Sequence, residues 1–228
     1  MKIGRYVFLL MMIIICLCVY CVESEEDLKV VDLRLKHLTL SQEKVDNIDN
    51  VEVLLEDTDK IGELMIPGTS FLVSVVQTNN NQFYLNHDIY KEYDALGTPF
   101  LDYRCLIESR KLLIYGHNSK TIDTDFHFLE NYFNQAFYQK YPKLILKIEN
   151  ESLVFQIVSF FVTTDDTHMK LQFSDMEWKM HVEWLKKSSL YFIDTNLSVS
   201  DKILILQTCY YKPINSYLLL VAKQVESM

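Results

Sequence analysis

Residues 203–209 have the sequence Ile203-Leu204-Ile205-Leu206-Gln207-Thr208-Cys209, an apolar run that ends in two polar residues and a thiol. A short apolar run of this kind is typical of a buried β-strand. Six similar runs occur elsewhere, at Phe71–Val76, Gly97–Tyr103, Lys111–Gly116, Lys143–Ile148, Leu153–Thr163 and Tyr217–Val225. At least seven strands indicate one mostly-β domain, and we predict a closed or nearly closed barrel with helices in the crossovers.

Two helical patterns interrupt these strands. The first, Thr124–Tyr141, carries aromatic and aliphatic residues at steps of three and four. The second, Ser174–Lys187, opens with a Ser-x-x-Glu capping box, which marks a helix N-terminus. Because Met176, Met180 and Trp184 share one face of this second helix, we expect them to pack into the core.

Charge and glycine content exclude several classes of protein. The 228 residues include 31 Asp and Glu against 22 Lys and Arg, a net charge of −9, and no basic patch offsets it. Such a field repels phosphate backbones, so we predict no nucleic-acid partner. The five glycines lack the spacing of either common phosphate-binding loop. No zinc-type Cys and His spacing occurs outside the first 22 residues, so we predict no metal site and no cofactor.

The N-terminus indicates the compartment. Every residue of Tyr6–Val22 is apolar, aromatic or Cys, and Lys2 and Arg5 precede this run. The run is just long enough to span a membrane, and the positive-inside rule places the rest of the chain outside the cytoplasm. A cleaved signal peptide is the alternative, but bulky Tyr20 and Val22 stand where a small-x-small site is expected. We predict a cytoplasmic tail (1–5), a transmembrane signal-anchor (6–22), an acidic helical lead-in (23–59) and the folded domain (60–228).

Two cysteines, Cys105 and Cys209, lie in the exported part of the chain. They could form one disulfide, yet a free thiol in an exported protein is also a candidate nucleophile. A thiol nucleophile needs a nearby base, and His117 ends the strand run Lys111–Gly116 just as Cys209 ends its own. Spacing alone leaves two interpretations open: the two residues meet at one rim as a Cys–His pair, or Cys209 is a buried structural cysteine.

Five segments together resemble a known family, the class B sortases, which are membrane-anchored cysteine transpeptidases of Gram-positive bacteria. The resemblance covers roughly Ile61–Val225, and it includes the His motif Tyr115-Gly116-His117-Asn118 and the Cys motif Leu206-Gln207-Thr208-Cys209. The other segments are Ile66-Pro67-Gly68-Thr69 with Val75-Val76-Gln77, Phe83-Tyr84-Leu85-Asn86-His87-Asp88, and Gly97-Thr98-Pro99-Phe100-Leu101-Asp102-Tyr103-Arg104. The resemblance implies an eight-stranded sortase barrel, and Ser174–Lys187 resembles the helix that distinguishes class B.

The resemblance also implies roles for individual residues. Cys209 would be the nucleophile and His117 the acid and base. The family has an arginine on the strand after the cysteine, and aligning Leu218–Lys223 with that strand puts Tyr217 at its position. No arginine follows Cys209 anywhere in the chain. The substrate groove would be lined by Asn81, Leu85, Thr164, His168, Met169, Gln207 and Thr208.

Three hypotheses about function follow. The first is a transpeptidase that cleaves a C-terminal sorting signal through a Cys thioester and transfers the protein to a cell-wall amine. By resemblance its partners would be an N-P-x-T-x type of signal, a peptidoglycan amine acceptor and membrane lipid, and its place the cell membrane. The second is a weakened sortase-like module that binds sorting peptides without efficient turnover, as the missing arginine suggests. The third is an unrelated exported β domain with an interaction role.

Overall fold

The computed structural model describes residues 59–119, 124–149, 151–191 and 197–227. Within these ranges, no helix has the length and apolar character needed to cross a membrane. The predicted cytoplasmic tail and transmembrane signal-anchor lie outside the described residues, as does all of the acidic lead-in except Asp59. The description below therefore concerns the folded domain.

Eight strands form a closed barrel with the neighbour order β1-β2-β3-β4-β7-β8-β6-β5. The prediction of a mostly-β, eight-stranded closed barrel is confirmed. Two neighbouring pairs, β2 with β3 and β4 with β7, are parallel, while the other pairs are antiparallel. The strands are β1 (Lys60–Met65), β2 (Leu72–Val76), β3 (Phe100–Leu101), β4 (Lys111–Tyr115), β5 (Lys143–Ile148), β6 (Glu151–Thr163), β7 (Ile203–Tyr210) and β8 (Ser216–Ser227).

The helices lie in the crossovers between strands. The α-helices are α1 (Gln135–Lys140) and α2 (Asp175–Lys187), and the 3-10 helices are Phe83–Leu85, Asp125–Phe133 and Thr167–Met169. The predicted single helix over 124–141 is wrong, because Asn134 has an extended backbone and its side chain caps α1. The capping box of α2 is confirmed, with Ser174 and Glu177 bonded in both directions.

The buried face of α2 differs from the expected one. Met176 and Met180 are 69% and 66% exposed, so the prediction that they enter the core is wrong. The face that packs on the barrel is instead formed by Trp178, His181, Val182 and Leu185. These residues are also spaced three and four apart, so both stripes fit helical periodicity. Trp178 is 1% exposed, and burial of this large aromatic side chain favours the face that it shares. Trp184, the third expected residue, does pack against the core, with its ring edge-on to that of Phe161.

Candidate active site

The ends of β4 and β7 bring the predicted nucleophile and base to one rim. These strands are parallel neighbours, with Tyr115 opposite Gln207. His117 and Cys209 each lie two residues further along the chain. Because parallel strands run in the same direction, both residues leave the barrel at the same edge. The structure therefore brings together the two residues that the sequence pattern paired.

Gly116 continues the contact between these strands up to His117. Its N–H donates to the carbonyl of Gln207 at 3.1 Å, and its carbonyl accepts from the Thr208 hydroxyl at 2.7 Å. A Cβ atom at this position would lie 2.6 Å from the Phe126 ring, which is closer than van der Waals contact allows. Only glycine therefore lets the chain pass between β7 and that ring on its way to His117.

His117 and Cys209 both line a cavity of about 330 Å³ at this rim. The same cavity is lined by five of the predicted groove residues, Asn81, Leu85, Met169, Gln207 and Thr208. Arg104 and Tyr115 also line it, although the sequence assigned neither of them a site role. The cavity is thus built from residues far apart in the chain, which the barrel brings to one end.

Two predicted groove residues, Thr164 and His168, are not among the residues that line this cavity. Thr164 is exposed. His168 is fully buried, with Nδ1 2.8 Å from the Asp165 carbonyl oxygen and Nε2 2.8 Å from Oε1 of Gln207. Burial lowers the pKa of His168, which keeps its ring neutral. His168 therefore lies behind Gln207 and supports the cavity wall.

Tyr217 lies on β8 directly opposite Cys209 of β7. Opposite residues of an antiparallel pair project to the same face of a sheet, so the two side chains share a face. The Tyr217 ring is half-buried and packs edge-on against the His168 ring, with the ring centres 5.0 Å apart. Tyr217 is not among the residues that line the cavity of Cys209.

A hydrogen bond orients the ring of His117. Its Nε2 lies 2.7 Å from the carbonyl oxygen of Leu85. A carbonyl oxygen only accepts hydrogen bonds, so Nε2 carries the proton and donates it. In the neutral ring Nδ1 is then unprotonated and able to accept a proton.

Cys209 is exposed at the rim, and its thiol is free. Partial burial of the sulfur raises the pKa of the thiol above its ordinary value. The resting side chain is therefore mostly a neutral thiol at neutral pH, and attack on a carbonyl requires that its proton be removed.

A buried carboxylate organises one side of the cavity. Asp102 is fully buried and accepts hydrogen bonds from Arg104, from the Tyr115 hydroxyl at 2.9 Å and from Asn81 Nδ2 at 2.9 Å. Burial would raise the pKa of Asp102, but these hydrogen bonds outweigh burial and hold the pKa below its usual value. The sequence signal was the Asp102-Tyr103-Arg104 triplet, which carried no evident chemistry by itself.

A buried lysine holds the segment that carries Met169. Lys111 Nζ donates to the carbonyls of His168 at 2.5 Å and Lys170 at 2.9 Å, and it lies 3.1 Å from His181 Nε2. Burial lowers the pKa of Lys111 to about 7. Because these contacts fix the backbone on both sides of Met169, they fix that wall of the cavity.

Proteins of known identity are similar to this chain in sequence. The chain is 30% identical over 176 residues to sortase B of Staphylococcus aureus (strain NCTC 8325 / PS 47), an alignment that covers 74% of this chain and 71% of the relative. The chain belongs to the class B sortase family. Sortase B of Listeria monocytogenes serovar 1/2a is 27% identical over 155 residues, covering 66% of this chain and 63% of that protein. No family model matches the sequence.

Solved sortase B structures have the same architecture. Sortase B of Clostridium perfringens superposes with a TM-score of 0.69 at 28% identity, covering 74% of this chain and 94% of the other. The substrate complex of Staphylococcus aureus sortase B gives a TM-score of 0.69 at 28% identity, covering 78% and 84%. The family resemblance predicted from the sequence is confirmed, and this class B sortase is a cysteine transpeptidase.

Proposed function

We propose that this sortase cleaves the C-terminal sorting signal of a secreted protein with Cys209 as nucleophile and His117 as acid and base. The observation that carries the proposal is the cavity that both side chains line at the ends of β4 and β7. A thiol and an imidazole in one cavity supply the two groups that covalent acyl transfer requires. The substrate complex known for a relative supports a peptide as the occupant of the cavity.

The reaction balances in two steps. The Cys209 sulfur attacks the carbonyl carbon after the Thr of the signal, a C–S bond forms, and the C–N bond to the next residue breaks. His117 takes the thiol proton of Cys209 during the attack and gives it to the departing amine, which leaves a thioester on Cys209. An amine of the peptidoglycan then loses a proton to His117 and attacks the thioester. The new C–N bond replaces the C–S bond, and His117 returns its proton to the sulfur, which restores the thiol.

Tyr217 is proposed to occupy the position where the family has an arginine. Its place opposite Cys209 on β8 supports this assignment. A phenol hydroxyl offers one donor where a guanidinium offers a planar fork. Loss of one oxyanion donor slows acyl transfer by about 10²–10³. No arginine follows Cys209 in the chain, and this observation favours the second candidate, a sortase-like module that binds sorting peptides with little turnover.

The N-terminal segment is proposed to anchor the enzyme. The apolar run 6–22, with Lys2 and Arg5 before it, would hold the chain in the lipid of the cell membrane with the catalytic domain outside. This location would give the cavity access both to exported substrates and to the peptidoglycan amines that accept them.

The test is transfer of a peptide to a small nucleophile. The full-length chain is incubated with peptides of the N-P-x-T-x and L-P-x-T-G types and hydroxylamine, and peptide hydroxamate is measured by mass spectrometry. We expect hydroxamate from wild type, none from His117→Ala, and wild-type amounts from Cys105→Ala. Equal product from His117→Ala would remove His117 from the mechanism. Peptide binding without product in wild type would favour the binding module.

A further inference from the structure

Arg104 is the only arginine of the described residues that lines the cavity of Cys209. The chain has four arginines, of which Arg5 and Arg34 lie outside the described residues. Arg110 does not line this cavity, and its guanidinium carbon lies 4.5 Å from the centre of the Trp178 ring. Arg104 therefore brings a permanent cation to the cavity from the loop between β3 and β4.

The Arg104 guanidinium is held in a fixed orientation. Nε donates to Asp102 Oδ1 at 2.8 Å, and one terminal nitrogen, Nη2, donates to Asp102 Oδ2 at 2.7 Å. The same Nη2 donates to the carbonyl of Met169 at 3.2 Å. Because Asp102 is fully buried and bound by further donors, this two-pronged contact leaves the guanidinium little freedom.

One edge of the guanidinium remains available. Within the part of the chain that the structure describes, the other terminal nitrogen, Nη1, makes no hydrogen bond. The Arg104 side chain is 42% exposed, and it lines both the Cys209 cavity and a second cavity of about 680 Å³ that Lys170 and Phe173 also line. The N–H groups of Nη1 can therefore donate to an acceptor that a ligand supplies.

We propose that Arg104 binds the substrate peptide by donating from Nη1 to a backbone carbonyl oxygen of the peptide in the Cys209 cavity. The proposal rests on the proposed function only in that a sorting peptide occupies this cavity. A fixed cationic donor suits a peptide carbonyl, since it needs no reordering when the ligand enters. Asp102 is then a positioning residue, which holds the guanidinium and offsets its charge. Arg104 compensates in part for the lack of an arginine on β8.

Peptide binding without turnover tests this role directly. In the full-length Cys209→Ala chain, the Kd of fluorescein-labelled N-P-x-T-x and L-P-x-T-G peptides is measured by anisotropy. Because the contact is a charge-assisted hydrogen bond, Arg104→Gln should weaken binding about tenfold or more, with Arg104→Lys intermediate. The matched control is Arg110→Gln, the other described arginine, for which we expect a change below about twofold.

A change on the peptide side separates contact from support. Peptides are made in which one backbone carbonyl at a time is replaced by a methylene group. At one position the replacement should weaken binding to the Arg104 chain about tenfold but hardly affect Arg104→Gln, because the partner is already gone. The proposal would be overturned if every carbonyl replacement weakened binding by the same factor in the Arg104 chain and in Arg104→Gln. An equal loss of affinity in Arg110→Gln, or no binding of either peptide, would also overturn it.

Folding and turnover are controlled separately. Arg104→Gln leaves the buried Asp102 carboxylate without its cation, which can destabilise the fold. The thermal unfolding of Arg104→Gln is therefore compared with that of the double variant Asp102→Asn, Arg104→Gln, which removes both charges. A folded double variant should show the same loss of affinity and carbonyl selectivity. The Cys209→Ala chain binds peptide without cleaving it. Failure of the Cys209 chemistry would therefore appear in the hydroxamate measurement, and failure of the Arg104 contact would appear in the binding measurement.

Discussion

The two cysteines of the folded domain lie in opposite surroundings. Cys105 is 2% exposed, and its Sγ lies 3.5 Å from the carbonyl oxygen of Lys111. Burial raises the pKa of the Cys105 thiol to about 11. Cys209 is exposed at the barrel rim and shares a cavity with His117. The same functional group is therefore a packing element in one place and a candidate nucleophile in the other, and access to a base and a substrate makes the difference.

The largest expected effect is that of removing the Cys209 sulfur. Cys209→Ala should lower peptide cleavage by roughly 10⁴-fold or more, because the covalent step loses its nucleophile. Its melting temperature should hardly change, since an exposed rim thiol contributes little packing. Cleavage is followed by chromatography of the peptide products and unfolding by circular dichroism. Residual activity at a tenth of the wild-type rate would contradict the assignment.

Cys105→Ala is the matched control, and it should show the reverse pattern. It removes a buried sulfur, so we expect a loss of roughly 1 kcal/mol in the free energy of unfolding. Cleavage at a temperature where the variant is folded should stay near wild type. A loss of activity in the folded variant would mean that the buried cysteine also supports the reaction.

The next effect concerns the residue opposite Cys209. Tyr217→Arg should raise the rate of Cys209 acylation by up to about 10²–10³, because a guanidinium adds a stronger oxyanion donor than a hydroxyl. Tyr217→Phe should lower the rate if the hydroxyl supplies that donor in the wild type. Single-turnover mass spectrometry of both variants checks this. Unchanged acylation in both would move the oxyanion donor elsewhere in the cavity.

The smallest effect is a difference in how the thiols titrate. Because burial raises the pKa of Cys209, its alkylation by iodoacetamide should increase with pH beyond the ordinary thiol value of about 8.5. Cys105 should react only after unfolding, since its sulfur is inaccessible. Peptide mapping across a pH series measures both rates. A plateau for Cys209 below about pH 8 would show that a nearby cation stabilises its thiolate.

Much of the barrel could be predicted from local sequence. Long apolar runs such as those of β6 and β7 can be recognised as strands from the sequence, because strands buried in a closed barrel tolerate few polar residues. The strand β1 was not among the predicted runs, since its sequence Lys-Ile-Gly-Glu-Leu-Met carries polar residues and a glycine. Its pairing with β2 and β5 supplies the stability that its own residues lack.

The site residues at the ends of strands could be predicted from the sequence, whereas those in loops could not. His117 and Cys209 follow directly from the ends of β4 and β7. The contact of Arg104 with Met169 joins residues 65 positions apart, and no local sequence pattern predicts it. His168 lies in a polar stretch of sequence, yet it is buried because Gln207 and Lys111 supply partners for its polar atoms.

The most direct test is the intact mass of the full-length protein after brief mixing with a sorting peptide. The account predicts a gain equal to the N-terminal cleavage fragment, lost on treatment with hydroxylamine, as expected for a thioester. Peptide mapping should assign the adduct to Cys209, and Cys209→Ala should show none. An adduct on Cys105, or cleavage with no adduct in wild type even after rapid acid quenching, would contradict the claim that Cys209 is the nucleophile of this sortase.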